Sequence, residues 1–277
     1  MSMKNNIDKK VFFEKYPFAV EEIENNNIDW NDLNEIYNDF MKSRENYETQ
    51  AEFISNIVKS ACNVHTVKAR VKNTERLIEK IIRKTRDRKE KYGEGFKFTI
   101  ENYKDEINDL IGIRAIHIFK QEWESIHEFI LNTWKVTEMT ANVREGDDTS
   151  RFEELGIQIH SRKSGYRSVH YLIEFYPTSQ KVIAEIQVRT IFEEGYGEID
   201  HQLRYSHKEI PKVLEANLLL FNRIAGSADE MASFINLLND NLGSVKCEYN
   251  KVLKEKEEEI KLLKEKICSF EKKGLSH

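Results

Sequence analysis

The sequence predicts an α/β protein in which mixed strands and helices lie between helical flanks. Helical periodicity opens the chain, alternates with strand patterns through the middle, and stands alone from residue 192 onward. The 3 prolines and 11 glycines suit a helix-rich chain with few tight turns. Three segments also alternate in the manner of half-buried strands. In 66–72, Lys68, Arg70 and Lys72 alternate with Val67, Ala69 and Val71. In 168–175, Ser168 and His170 alternate with Val169, Tyr171 and Ile173. In 184–190, Glu185, Gln187 and Arg189 alternate with Ala184, Ile186 and Val188.

The elements follow in order. Residues 30–62 read as one long helix, with Leu33, Ile36, Tyr37, Phe40, Phe53, Ile54 and Ile57 near a 3.6-residue period. A strand is expected over 63–72, then a helix over 73–90 that buries Leu77, Ile78, Ile81 and Ile82. Asp109 opens the run LIGIRAIHIF, a buried strand, and a helix runs through Trp123–Trp134. Segment 135–144 reads as a strand. Residues 145–167 read as a loop interrupted by a short strand at Ile157–His160. Strands 168–177 and 181–190 follow, with helix thereafter, broken near Pro211 and Gly243. The organisation is an N-terminal helical region (1–60), a mixed domain (61–210), a helical extension packing on it (211–243) and a charged C-terminal helix (244–277).

In that last helix, Leu253, Ile260 and Ile267 fall seven apart, as do Tyr249, Lys256, Leu263 and Phe270. Such a seam predicts a coiled coil and self-association. Docking of the helix on its own domain is the alternative.

A net charge of -5 argues against a general nucleic-acid binder. Charge is unevenly placed, however. Eleven Lys and Arg residues fall within 68–91 against four acids, which points to a specific anion. Cys62, Cys247 and Cys268 are scattered and lack metal-ligand spacing, so reduced thiols and a cytoplasmic location are expected. No run approaches a membrane span, and MSMKNNIDKK lacks a signal peptide's apolar core.

If the alternating strands share a sheet, its polar face is a cationic cleft with embedded carboxylates, suited to a polyphosphate and its magnesium. Asp109 and Glu185 are the best metal-ligand pair. Each sits at or inside an apolar strand where an unpaired carboxylate is costly, and magnesium takes one or two carboxylates with waters and phosphates. Pairing with Arg114 and Arg189 is the alternative. Arg70, Lys72, Lys80 and Arg83 are placed to hold phosphates, whereas Arg86, Arg88, Lys89 and Lys91 read as a solvated face. Tyr166 could offer its ring to a purine or simply pack a loop. There is no GxxxxGKS/T phosphate loop, no GxGxxG, no HExxH and no GxSxG. His160, His170, His201 and His207 fall in the candidate region without zinc-like partners. This chemistry indicates nucleotide or phosphoryl-transfer work on a scaffold without a P-loop.

Taken in order, ARVKNTERLIEKIIRK (69–84), DLIGIR (109–114), SGYRSVH (164–170), EIQVRT (185–190) and GEIDHQLRY (197–205) resemble the synthetase domain of the RelA/SpoT alarmone synthetases. The resemblance covers roughly residues 60–210. It implies a nucleotidyltransferase-like mixed sheet and transfer of pyrophosphate from ATP to the 3′-hydroxyl of GDP or GTP, giving (p)ppGpp and AMP. By position it implies that Arg70, Lys72, Arg76, Lys80, Arg83 and Arg114 bind ATP. Asp109 would be the magnesium ligand, and Glu185 would share the metal and help activate the hydroxyl. Tyr166 would stack on the acceptor guanine, with Arg162, Lys163, His170, Gln187, Arg189, Glu194 and Asp200 in the acceptor half.

Three positions depart from the family pattern. Arg76 replaces a usual serine, Arg162 with Lys163 replaces a lysine, and Glu194 stands where an Asn or His commonly helps with guanine. The family's hydrolase domain needs a His-Asp pair, and this chain's first histidine is His65. The resemblance therefore implies a small, synthesis-only member, and such members often assemble through flanking helices as dimers or tetramers. Two alternatives remain: a toxic relative that pyrophosphorylates the 3′ end of tRNA, and a non-catalytic nucleotide sensor.

Overall fold

A computed structural model describes residues 6–178, 180–206 and 210–274, with side chains described through 264 except at 205 and 206. Ser179 of the predicted turn, His207, and the side chains of Ile267, Cys268 and Phe270 lie outside that description. The chain divides into two units, Met1–Ser227 and Ala228–His277.

The first unit opens with α1 (Lys9–Lys15), α2 (Phe18–Asn25) and α3 (Trp30–Val58). Asp29 caps α3 by accepting from the Asn31 amide at 2.8 Å. The buried face of α3 follows Leu33, Ile36, Phe40, Tyr47, Ala51, Ile54 and Val58. Phe53, expected on that face, points outward at 54% exposure and stacks on Phe175 instead. The helix keeps its period through Ala51 and Ile54, which turns Phe53 away.

Next come β1 (Thr66–Val71), α4 (Thr74–Tyr92), the short α5 (Tyr103–Glu106), β2 (Ile111–His117), α6 (Trp123–Thr133) and β3 (Lys135–Val143). The Asn73 side chain accepts from the Arg76 amide to start α4, and Gly93, at φ 99°, ends it. The predicted loop holds a one-turn helix, α7 (Ser150–Glu154), and β4 (Gln158–Ser161). The unit continues with β5 (Ser168–Phe175), β6 (Val182–Thr190) and α8 (Ile191–Ser206), and then enters α9 (Lys212–Gly274).

The six strands form one mixed sheet in the order β1-β2-β6-β5-β3-β4. β2 and β6 pair in parallel, as do β3 and β4, and the remaining pairs are antiparallel. Side chains alternate across the pleat, so Ile111, Ile113, Ala115, Ala184, Ile186 and Val188 make an apolar face. There α3 packs on β1 and β2, and α6 packs on β3 and β6. On the same face the buried Tyr171 hydroxyl is satisfied by Trp123 Nε1 at 3.1 Å and His127 Nδ1 at 3.0 Å.

α9 runs 63 residues without the break expected at Gly243. A helical glycine costs only about 1 kcal/mol relative to alanine, too little to end a helix among residues that favour one. Within the second unit, Phe234, Leu238, Leu242, Val245, Tyr249, Leu253, Ile260 and Leu263 are exposed. Among the described residues, no helix is long and apolar enough to cross a membrane.

Ile186 is fully buried beneath the polar face. Ile186→Ala is expected to cost about 2–5 kcal/mol in urea unfolding; a loss below about 1 kcal/mol would contradict this packing.

Candidate active site

The polar face takes its order from strand register. Arg70 pairs across β1–β2 with Gly112, Gly112 pairs across β2–β6 with Glu185, and Glu185 pairs across β6–β5 with Leu172. One step along lies the row Lys68, Arg114, Gln187, His170 and Thr140. Gly112 leaves the surface between Arg70 and Glu185 bare. A Cβ there would come within 3.2 Å of Arg70 Nε, so the bare position lets the Arg70 side chain lie close over β2.

Three hollows that share lining residues make up the cleft. The first is lined by Arg70, Lys72, Arg76, Lys80, Arg83, Asp109 and His201, together with Tyr16 from the α1–α2 junction. Asp109 Oδ2 accepts from Lys72 Nζ at 2.6 Å and pairs with Lys80 Nζ at 2.9 Å. Burial pushes the Asp109 carboxyl up, but the two lysines outweigh it and hold it below its ordinary value. Its other oxygen, Oδ1, is buried without a hydrogen-bond partner. Burial, with Lys80 and Arg70 nearby, lowers Lys72 despite Asp109.

Asp109 and Lys80 also border the second hollow, which adds Lys84, Arg88, Lys91, Asn142, His160, Arg162, His170 and Glu185. Lys80, Lys84, Arg88 and Lys91 lie on one face of α4. Two members of the stretch read as solvated are in fact engaged. Arg88 is half-buried, paired with Glu106 at 2.5 Å, and Lys89 donates to the Asn26 carbonyl at 2.9 Å. The α4 surface there is covered by the α5 and α2–α3 segments rather than by water. Arg162 Nε donates to Asn142 Oδ1 at 2.6 Å. Lys163 is exposed and lines none of the three hollows.

The third hollow contains Arg70, Arg114, Tyr166, Gln187, Arg189, Gly197, Asp200, His201 and Arg204. Five of the polar-face groups close a hydrogen-bonded ring. Arg189 donates to the Tyr166 hydroxyl at 2.5 Å, that hydroxyl meets His170 Nε2 at 3.2 Å, and His170 Nδ1 meets Glu185 Oε1 at 3.0 Å. Gln187 Nε2 donates to Glu185 Oε2 at 2.7 Å, while Gln187 Oε1 accepts from Arg189. One proton arrangement satisfies every link: His170 carries its proton on Nδ1 toward the carboxylate and accepts the Tyr166 proton on Nε2. Burial pushes the Tyr166 phenol up, which keeps that proton in place. Burial raises Glu185 as well, but the His170 and Gln187 bonds outweigh it and leave the carboxyl lowered.

Arg114 and Arg189, the alternative partners for the two acids, are engaged elsewhere. Glu194 accepts from Lys68 at 3.0 Å, from Arg114 at 3.1 Å and from Arg189 at 3.1 Å, and Arg114 also pairs with Glu198. α8 folds back over β2 and β6 and delivers these acids to the strand guanidiniums, a consequence of tertiary packing that strand alternation does not reveal. Asp200 is held by Arg204 Nε at 2.8 Å.

Sequence reasoning missed Lys84, although the 80, 84, 88, 91 spacing of the α4 face points to it. It also missed Gly197, where a Cβ would meet Arg189 Nη1 at 3.0 Å and the Tyr166 ring at 3.6 Å. Among the described residues, no group of three or more His, Cys, Asp or Glu converges as a metal centre. Asp109 and Glu185 line the same hollow as two carboxylates. That donor count suits a hard cation carried in on substrate phosphates, and the orphaned Oδ1 has capacity for it.

A mixed sheet whose polar face sets cations around two carboxylates defines an α/β protein with a cleft built for an anionic substrate. A family model described as a region found in RelA / SpoT proteins matches residues 69–210, more than half of the chain, and the protein belongs to that family. Among solved structures it is similar to small alarmone synthetase 1 from Bacillus subtilis, with a TM-score of 0.54 and 21% identity over 73% of this chain and 96% of that one. The same synthetase bound to its product pppGpp gives 0.53 and 21%, over 69% and 92%. Bound to AMPCPP it gives 0.51 and 20%, over 73% and 96%. At that identity the likeness establishes the fold: a mixed six-stranded sheet flanked by helices, with a long C-terminal helix. No curated protein matches the chain in sequence.

Asp109 is held below its ordinary 3.8, so its stabilising contribution is complete above that pH and is lost as pH falls through the lower folded value. Urea midpoints are expected to drop as pH falls below about 4, with a shallower drop in Asp109→Asn. Identical slopes in the two proteins would show that Asp109 is not held by its lysines.

Proposed function

We propose that the protein is a cytoplasmic (p)ppGpp synthetase that transfers the β,γ-pyrophosphate of ATP to the 3′-hydroxyl of GDP or GTP and releases AMP. Family membership and fold support a pyrophosphate-transferring enzyme in general. The observation that supports the finer reading is a hollow lined by both Asp109 and Glu185, which shares Lys80 and Asp109 with a cation-rich hollow that in turn shares Arg70 and His201 with the Tyr166 hollow.

Each chain residue then has a role. Arg70, Lys72, Arg76, Lys80 and Arg83 hold ATP phosphates, and Arg114 flanks Arg70 in contact with the nucleotide. Asp109 Oδ1 and Glu185 would hold magnesium, which supplies charge neutralisation on the transferring phosphates when bound. Tyr166 offers its ring to the acceptor base, with Gln187, Arg189, Glu194 and Asp200 around it and Arg162 toward the acceptor phosphates; Lys163, outside the hollows, takes no part. The 3′-oxygen attacks the β-phosphorus, and the bond from that phosphorus to the α,β-bridging oxygen breaks. The bridging oxygen leaves with AMP, carrying the electron pair, and the hydroxyl proton passes to Glu185. Such a transfer needs mainly positioning and positive charge around the phosphoryl oxygens. A carboxylate lowered by His170 and Gln187 is ionised at neutral pH and ready to accept a hydrogen bond from the hydroxyl.

A second acceptor, the 3′ end of tRNA, is favoured by Lys84 and Lys91, which extend the basic wall along the cleft. The exposed apolar residues of α9 support self-association through that helix, as a dimer or tetramer.

Purified protein incubated with labelled ATP, magnesium and, in turn, GDP, GTP, GMP or tRNA tests the assignment. Label on a guanine nucleotide supports it, label on tRNA selects the second acceptor, and no transfer to any acceptor identifies a nucleotide sensor. Glu185→Gln is expected to lower transfer by at least about a hundredfold with ATP binding retained; normal turnover would remove Glu185 from the chemistry. Tyr166→Ala is expected to raise the acceptor KM roughly tenfold, with little change in the ATP KM. The opposite order would show the two halves to be exchanged.

A further inference from the structure

The loop that carries Tyr166 is held from outside the matched family region, by the first turns of α9. Leu218 and Ala225 are buried on that helix, and Asn222 and Gly226 fall on the same face at three- and four-residue spacing. Apolar residues would be expected along a docked helical face, yet a buried amide and a glycine occupy its centre. Neither favours a helix, so their placement calls for a contact that explains them.

Each of the two meets a residue next to Tyr166 in the chain. Asn222 is 3% exposed, and its Nδ2 donates to the Gly165 carbonyl at 2.8 Å. Gly165 has φ of 75°, and a Cβ there would lie 2.5 Å from Asn222 Oδ1, so the amide is pressed against the bare face of the turn. Gly226 admits the Arg167 guanidinium: a Cβ at 226 would come within 2.9 Å of Nη1. Arg167 cannot simply swing away. It makes two bonds to Asp147, at 2.6 and 3.1 Å, and Asp147 is held in turn by Arg144. The residues immediately before and after Tyr166 are thus fixed by groups four residues apart on one helix. Tyr196 of α8 adds a third tether, its hydroxyl donating to the Ser164 carbonyl.

We propose that Asn222 and Gly226 are positioning residues for the acceptor: they clamp Gly165 and Arg167 so that Tyr166 stands where the acceptor base stacks. The acceptor part of this inference rests on the assignment of Tyr166 under the proposed function. The clamp itself rests on geometry alone. The first turns of α9 are accordingly working parts of the acceptor site as well as a packing extension.

The test uses the full chain and three variants. Asn222→Ala removes the donor. Asn222→Asp keeps the volume but offers oxygen instead of nitrogen to the Gly165 carbonyl. Gly226→Ala improves helix propensity while crowding Arg167, so it separates positioning from folding. Hydrogen exchange of the 162–168 amides is expected to rise in all three. The acceptor KM is expected to rise roughly two- to tenfold, as for one lost hydrogen bond, with the ATP KM within about twofold. The helix propensity gained by Gly226→Ala offsets part of the cost of crowding Arg167, so its melting temperature is expected to fall by less than that of Asn222→Ala.

Unchanged exchange in Asn222→Ala and Gly226→Ala would overturn the clamp. Raised exchange with an unchanged acceptor KM would overturn the positioning role. If the wild-type chain transfers to no guanine nucleotide, the functional reading fails, while the exchange data still decide whether the clamp exists.

Discussion

Because β2 and β6 run parallel and in register, Gly112 lies directly beside Glu185, and across the antiparallel β1–β2 ladder lies Arg70. The bare glycine lets the guanidinium cross toward the carboxylate instead of standing up from its own strand. A shift of one residue in either ladder would turn the apolar set outward and scatter the polar row, so the same pairing that buries Ile113 and Ile186 also assembles the site. Stability and chemistry are here two faces of one register.

Electrostatics divides the two central acids into different kinds of group. Asp109 stands among cations and keeps one oxygen saturated by lysines and one without a partner. Glu185 has only dipolar and imidazole partners, and both its oxygens accept hydrogen bonds. One is therefore suited to hold a positive ion against a local excess of positive charge. The other is aimed and kept ionised by the bonds it makes with His170 and Gln187. Glu194 serves a third purpose. It gathers Lys68, Arg114 and Arg189, and without it three cations would face one another on adjacent strands.

The alternation of 66–72, 168–175 and 184–190 was readable because a period of two survives any choice of neighbour. It sorted Lys68, Arg70, Glu185, Gln187 and Arg189 onto one face without knowledge of strand order. What alternation does not carry is which strand lies next to which, or what folds back over the sheet. The Arg114 and Arg189 partners come from α8, so the alternative that paired those arginines with Asp109 and Glu185 fails for a tertiary reason. Gly243 misleads in the opposite direction, because a lone glycine is a weak helix breaker. Gly197 and Gly226 were unreadable for a related cause: each is needed for a neighbour distant in sequence, and nothing in the residues around it records that neighbour.

The ring through Arg189, Tyr166, His170, Glu185 and Gln187 ties the aromatic platform to the carboxylate. His170 has two ring nitrogens, and each is committed, Nδ1 to Glu185 and Nε2 to Tyr166, so its tautomer is fixed from both sides. Arg189 lies over the Tyr166 ring, 5.1 Å from its centroid, and also holds its hydroxyl. On the proposed reading, an acceptor base would meet a ring that Arg189 already holds by its hydroxyl and lies across. The links to His170 and Glu185 run through the tyrosine's hydroxyl and not through its face. On the same reading, recognition and proton chemistry lie a single histidine apart.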